Sequence, residues 1–283
     1  MFWVIQALNG ISFGMLLFML AAGLSLIYGL MKILNLTHGS FYLLGGYVGL
    51  TVVHTTGSFV LAVLAGSCAV ALIGIVMERF LLRRFHLQEL PQVLITFGLL
   101  FIFSDLAILI WGGNPQTMPK PAWFATSVQL DGFVYPSYRL FIIGFGFVIA
   151  ALLWWLQEGT RVGAMLRAGV DDEEIARALG INVSLLFTLV FALGAFLAAL
   201  GGVMGGPMVG IYPGADFEVM LLGFVVVIIG GLGSLKGALV GALTVGLLDN
   251  FGKVFFPELA LFTIFAPMAL ILAVRPTGLF GRE

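Results

Sequence analysis

Hydrophobic positions along this chain do not alternate with polar ones. They run in long blocks that are apolar on every face, as in 183–207 and 259–274. Charges and turn residues fall between the blocks and mark segments at about 4–29, 39–55, 58–77, 92–112, 140–157, 183–207, 217–235, 237–256 and 259–274. A helix crosses a hydrocarbon layer with ~20 apolar residues, whereas a barrel strand needs about ten of alternating polarity. The pattern predicts an all-α fold, a polytopic transmembrane helical bundle of eight or nine spans forming a single domain over residues 1–283. The segment at 39–55 is short and glycine-rich, so the second span is expected to be broken, and this leaves the count between eight and nine.

Composition sharpens the contrast with a water-soluble fold. Of 283 residues 61% are hydrophobic and 10% charged, at a mean hydropathy of +1.13, against about 25% charged in a soluble domain. Residues 1–77 hold one charge, Lys32. Surface-to-volume scaling leaves no way to cover that much apolar surface in water. The 38 glycines and 26 phenylalanines fit helices that approach closely and rings that fill space against lipid. Net charge −1 offers no basic field for nucleic acid. Met1-Phe2-Trp3 lacks the positive start of a signal peptide, so the first block is expected to remain as a span.

Basic residues orient the bundle. With 78–91 and 158–182 placed in the cytoplasm, that side receives Lys32, Arg79, Arg83, Arg84, Arg161, Arg167, Arg177, Lys236, Arg275 and Arg282, and the other side Lys120, Arg139 and Lys253. Ten against three puts the C-terminus inside. The loop at 113–138, with Pro115, Pro119, Pro121, Pro136, Trp123, Phe124 and Tyr135, is then the large external one, either a compact cap at the headgroups or a plain connector.

Catalytic chemistry is not visible. Gly252-Lys253 is followed by Val254 and position 247 is Leu, so there is no P-loop. His38, His54 and His86 are far apart, Cys68 is single, and no metal site or cofactor is expected.

The richest polar segment is 158–182, which reads as two short helices. In the second, Asp171 is placed to cap the helix with Glu174 reaching back, and Val170 and Ile175 take the positions of a hydrophobic staple. Arg177 lies near the far end and Gly180 supplies a left-handed stop. Ile175, Ala176 and Leu179 then project on one side. Such a helix suits docking on another protein, and it also suits an ordinary solvated loop.

Gly163, Arg167, Ala168, Glu174, Ala176, Gly180, Ile181 and Asn182 together resemble the coupling loop of permeases of branched-chain amino-acid ABC importers. Gly29–Gly46, Gly230–Ala238 and Arg275–Arg282 resemble that family's other signatures, so the likeness spans nearly the whole chain. One departure is Leu222, where relatives often carry a basic residue. The resemblance implies an inner-membrane subunit that supplies path and coupling, paired with a related permease or a second copy. Two ATPase subunits dock on the cytoplasmic loops of the pair, here 158–182, and an external binding protein delivers the solute. The competing class is a self-sufficient secondary transporter or channel, for which Asp105, deep in an apolar span, is the main candidate charge.

Path candidates follow from the residues near the second span. Asn35, Thr37, His38 and Ser40 bring polar groups to a membrane boundary, and Gly39, Gly45 and Gly46 permit irregular backbone, which survives at depth only around a cavity or inside protein. Close packing through Gly45 and Gly49 is the alternative. Asp105 touches a hydrated path or caps a neighbouring helix. Four-residue spacing in Gly201/Gly205 and Gly233/Gly237/Gly241 reads as helix packing, and the run into Pro207 as a possible helix break.

Overall fold

The computed structural model describes residues 1–85, 88–130 and 133–281; His86 and Arg282 lie outside them. Eleven α-helices run through the described residues: α1 (Phe2–Met31), α2 (His38–Thr56), α3 (Phe59–Phe80), α4 (Glu89–Trp111), α5 (Ser137–Gly159), α6 (Arg161–Asp171), α7 (Glu173–Ala178), α8 (Val183–Val209), α9 (Ala215–Gly230), α10 (Leu235–Phe255) and α11 (Ala260–Val274). Seven of the helical stretches are long and apolar enough to cross a membrane, those built on α1, α3, α4, α5, α8, α10 and α11. The chain is therefore a multi-pass helical membrane protein.

Local chemistry sets the boundaries. Side-chain oxygens of Ser58, Thr160, Asn182 and Ser234 accept the backbone N–H three residues on, at 3.3, 3.1, 3.0 and 3.1 Å, and start α3, α6, α8 and α10. Gly57 (φ 70) closes α2 in the left-handed region. Lys32 closes α1 the same way at φ 54 and is the one non-glycine with positive φ among the described residues.

The second helix is not broken. Residues 38–56 form one helix, and the irregular backbone lies just before it, at 32–37. Nor does Pro207 break α8, which runs on to Val209; proline there falls in the last turn. The 113–138 loop contains a 3-10 turn at Ala122–Phe124 and a hairpin of β1 (Ser127–Leu130) and β2 (Phe133–Pro136), a small β element that the long apolar blocks gave no reason to expect. Buried Tyr135 donates to Asn9 Oδ1 at 3.1 Å and fastens the hairpin to α1. Burial pushes the Tyr135 phenol above its ordinary value, and Arg139 partly opposes this.

One packing plan occurs twice. In the first half α2 packs on α3 and α4 leans on α2; in the second, α9 packs on α10 and α11 leans on α9. A 3-10 turn joins α3 to α4 at Leu82–Phe85 and α10 to α11 at Pro257–Leu259. The halves interlock through α1 on α10, α3 on α8, α1 on α8 and α2 on α9. Since α1 runs toward the end that carries α6 and α7, and α8 runs away from it, the halves have opposite sense, the plan of an inverted repeat.

Small residues let the halves close. A Cβ on Gly10 would sit 2.9 Å from the Gly246 carbonyl and one on Gly14 2.7 Å from that of Ala242, so α1 and α10 touch backbone to backbone. Gly45 meets Ala199 of α8 in the same way.

Candidate translocation path and coupling site

Two helices of the bundle begin inside it. α9 has 16 residues, so it spans about 24 Å, short of the ~30 Å hydrocarbon layer. α2 starts where His38 Nε2 donates to the Leu20 carbonyl at 3.0 Å. Leu20 lies eleven residues before the end of α1, roughly 16 Å along it. The two starts meet: Gly39 lies against the Asp216 carbonyl and Met220, with no room for a Cβ.

Around this junction the structure gathers Asn35, Thr37, His38 and Ser40, all fully buried. Asn35 Oδ1 accepts the Thr37 N–H at 3.1 Å, turning the chain into α2. Thr37 Oγ1 donates to the Thr96 carbonyl at 2.8 Å and Ser40 Oγ to that of Leu100 at 3.5 Å, which ties α2 to α4. Asn35 Nδ2, His38 Nδ1 and Asp216 Oδ2 are buried without a hydrogen-bond partner among the described residues. Irregular backbone at this depth is thus wrapped in protein.

The predicted path residues do not all converge. Gly45 and Gly46 face α8 and Ile211, well packed on both sides. Asp105 lies apart, exposed on the outer face of α4. Of the packing glycines, Gly205 abuts the Tyr42 hydroxyl, Gly237 abuts Gly230, and Gly241 abuts Val226. Gly201 makes only ordinary contacts, at 3.5 Å. Gly233 falls outside α10, in a left-handed turn against Gly29. Asp249 is paired with Lys253 at 2.8 Å, which accounts for a carboxylate near a span end.

At the α6–α7 end the two expected short helices form, with one shift. α6 continues through Asp171, and Asp172 is the residue that caps α7, accepting the Ile175 N–H at 2.9 Å. Asp171 ends a helix rather than starting one. Either Asp can cap; the Asp172 N–H bond to the Ala168 carbonyl decides it. Glu173 pairs with Arg177 one turn on, and Gly180 takes φ 84. Gly163, with α6 folded against Gln157, is buried, and Arg167 donates to the Gln157 carbonyl; Ala168 is half-buried, while Glu174 is exposed. Ala176 does not project: it is 1% exposed and packs inward, whereas Ile175 and Leu179 are 59% and 74% exposed.

Beside α7 lies a group that sequence reading passed over. Fully buried Glu78 takes two hydrogen bonds from Arg83, at 3.0 and 2.9 Å. Arg83 also donates to the Ser184 carbonyl at 3.0 Å and to Thr188 Oγ1 at 2.6 Å, and Thr188 donates to Glu78 at 2.8 Å. The network clamps α3 and its 3-10 turn to α8, at the rim of a cavity of about 200 Å³ that Arg177 also lines. A buried carboxylate is tolerable only when paired and hydrogen-bonded in this way. Thr188→Val keeps the shape and removes the hydroxyl, so thermal unfolding in detergent should show a loss of about 1–3 kcal/mol. The spacing from Glu78 to Arg83 was visible; Thr188, a hundred residues away, had no local signal.

A bundle of two interlocked inverted halves, with two helices that begin inside it and a capped surface helix at one end, defines a membrane-embedded transport permease. Residues 6–274 match the family described as branched-chain amino acid transport system / permease component, and the chain belongs to that family. It is 29% identical to the high-affinity branched-chain amino acid transport system permease protein BraD of Pseudomonas aeruginosa over 98% of this chain and 95% of BraD. LivH of Escherichia coli is 26% identical over 100% of this chain and 96% of LivH. The autoinducer 2 import system permease protein LsrC of Salmonella paratyphi B is 28% identical over 57% of this chain and 47% of LsrC. Among solved structures, PsaBC from Streptococcus pneumoniae shares the fold at a TM-score of 0.50 and 15% identity, covering 94% of this chain and 89% of that one.

Proposed function

We propose that this permease forms one half of the path of an ABC importer for branched-chain or other apolar amino acids. Family membership and end-to-end similarity to BraD and LivH carry the reading. Two ATPase subunits dock on the cytoplasmic loops of the permease pair and grip α6 and α7 of this chain through the segment at 158–182, with Glu174, Ile175 and Leu179 outermost and Gly163, Arg167, Ala168, Asp171, Ala176 and Gly180 holding its shape. A related second permease, or a second copy, completes the path, and an external binding protein brings the solute. The membrane is a bacterial-type inner membrane.

Nine membrane-embedded elements fit this reading: the seven long helices with α2 and α9. Alternation then places α6, α7 and the C-terminus in the cytoplasm, in accord with the basic residues there. Asn35, Thr37, His38, Gly39, Ser40, Gly45 and Gly46 belong to the wall of the path or its support. Asp105 is exposed on α4 and has no cation within salt-bridge range among the described residues, so a partner subunit or water covers it. The ATPases drive alternating access by binding the two permease states with different affinity.

Vesicles reconstituted with the permease pair, the ATPases and the binding protein should accumulate labelled leucine, isoleucine or valine only with ATP inside the ATPase compartment. Accumulation by this chain alone on an ion gradient would replace the proposal with a secondary transporter.

A further inference from the structure

We infer that the first turn of α9 is an amine-binding site of the path, where Glu218, hydrogen-bonded by Tyr212, meets the protonated amine of the solute. The inference rests on the reading of the chain as an importer subunit for amino acids and adds the residues that recognise one end of the solute.

Depth is the first ground. The far end of α9 turns into α10 at the α6–α7 end, where Gly230 lies against Gly237. Counting back along a helix of about 24 Å puts Asp216 and Glu218 within the hydrocarbon thickness rather than at its border. They meet α2 there through Gly39, whose own neighbour His38 is anchored to mid-α1.

Unmet chemistry is the second. Asp216 is 1% exposed and its Oδ2 has no hydrogen-bond partner among the described residues. The Tyr47 hydroxyl, also buried and unpartnered, lies within electrostatic reach of that carboxylate. Glu218 is exposed on the side of the single chain, and the Tyr212 hydroxyl donates to its Oε2 at 2.6 Å. Among the described residues neither acid has a Lys or Arg within salt-bridge range.

Magnitudes separate a site from a structural ornament. Acids at a helix start gain about 0.3–1 kcal/mol from the helix dipole. A carboxylate inside the bilayer costs about 2.5–3.5 kcal/mol on the translocon scale. The dipole leaves most of that cost standing, so the face carrying Glu218 is covered by something wet or cationic rather than by lipid. Glu218, with no protein cation in salt-bridge range among the described residues, selects a positively charged group and repels an anion, and the ammonium of an amino acid has that charge. Helix starts near mid-depth at an inverted-repeat interface are where transporters of other folds hold their solute.

The test uses the assembled transporter. In a Cys68→Ser background, Glu218→Cys should react with a charged, membrane-impermeant thiol reagent, because the position is wet. Reaction with a lipid-soluble maleimide alone would place the residue in lipid and overturn the inference. In parallel, L-leucine uptake by Glu218→Gln should fall about tenfold or more, with Glu218→Asp within about threefold of wild type, since only a charge-assisted bond is restored by aspartate. Wild-type uptake by Glu218→Gln would overturn the inference too. If the unsubstituted complex accumulates none of leucine, isoleucine, valine or alanine, the amino-acid reading has failed, while the thiol reaction still decides whether Glu218 faces a path.

Discussion

Ile175→Asp combined with Leu179→Asp is expected to abolish ATP-driven uptake and release the ATPase subunits from the complex. α7 has six residues, too few to hold together alone in water. It is held instead by the Asp172 cap, the Glu173–Arg177 pair, the left-handed Gly180 and the inward anchor Ala176. What this scaffolding presents is a pair of large apolar side chains four residues apart, 59% and 74% exposed on an otherwise hydrophilic segment. Exposed apolar side chains at this spacing are what a groove on another protein receives. Two hot-spot residues worth about 2 kcal/mol each would shift docking more than about a hundredfold. Co-purification of the ATPases and uptake by reconstituted vesicles measure it, and wild-type values in both would sink the docking role. Glu174 and Ala176 make a poorer pair for the experiment. Enlarging buried Ala176 overpacks the inner cluster and costs about 1–3 kcal/mol of stability, which confuses misfolding with uncoupling.

Helix placement was legible because each apolar block ends on chemistry that acts locally. Ser58, Thr160, Asn182 and Ser234 cap the helices they precede, and Gly57 and Gly180 adopt the left-handed turn that glycine allows. The glycine cluster of α2 misled for a physical reason. Glycine both loosens a helix and admits a neighbour, and only the neighbour's position tells which; here Ala199, Ile211 with Gly202, and Val203 fill the space, so the helix stays whole. Depth was the second blind spot. The block at 217–235 gave no sign of how deep its start lies, and Asp216 falls just before it. The burial of Asp216 at the junction with α2 comes from a contact between residues 39 and 216, which no periodicity encodes. Likewise Glu78 and Thr188 meet only in three dimensions.

Gly39→Leu is expected to prevent the permease from reaching a stable fold, although the same change at Gly98 should pass unnoticed. In helix propensity alone leucine improves on glycine by about 1 kcal/mol, so a position without neighbours would gain slightly. Gly98 is such a position, with nothing within 4 Å of an added Cβ. At Gly39 the Cβ would run into the Asp216 carbonyl and would lie 2.8 Å from Met220 Cβ. Backbone at the start of α9 has little freedom to move, since the Ala215 N–H is bound to the Tyr212 carbonyl at 3.1 Å and Ile211 is paired with Gln116. Overpacking of this kind costs about 1–3 kcal/mol when side chains can shift and more when backbone must. Against a total stability of about 5–15 kcal/mol, that loss is a large share, and it falls on the junction where the starts of α2 and α9 bring the two halves of the fold together. Gly39→Ala should lie between, with a lowered melting temperature and folded protein still recoverable. Size-exclusion profiles in mild detergent and thermal melts of the three variants read the series. A Gly39→Leu protein that elutes and melts like wild type would mean that α2 and α9 do not meet at their starts, and the mid-bundle junction on which the path depends would have to be placed elsewhere.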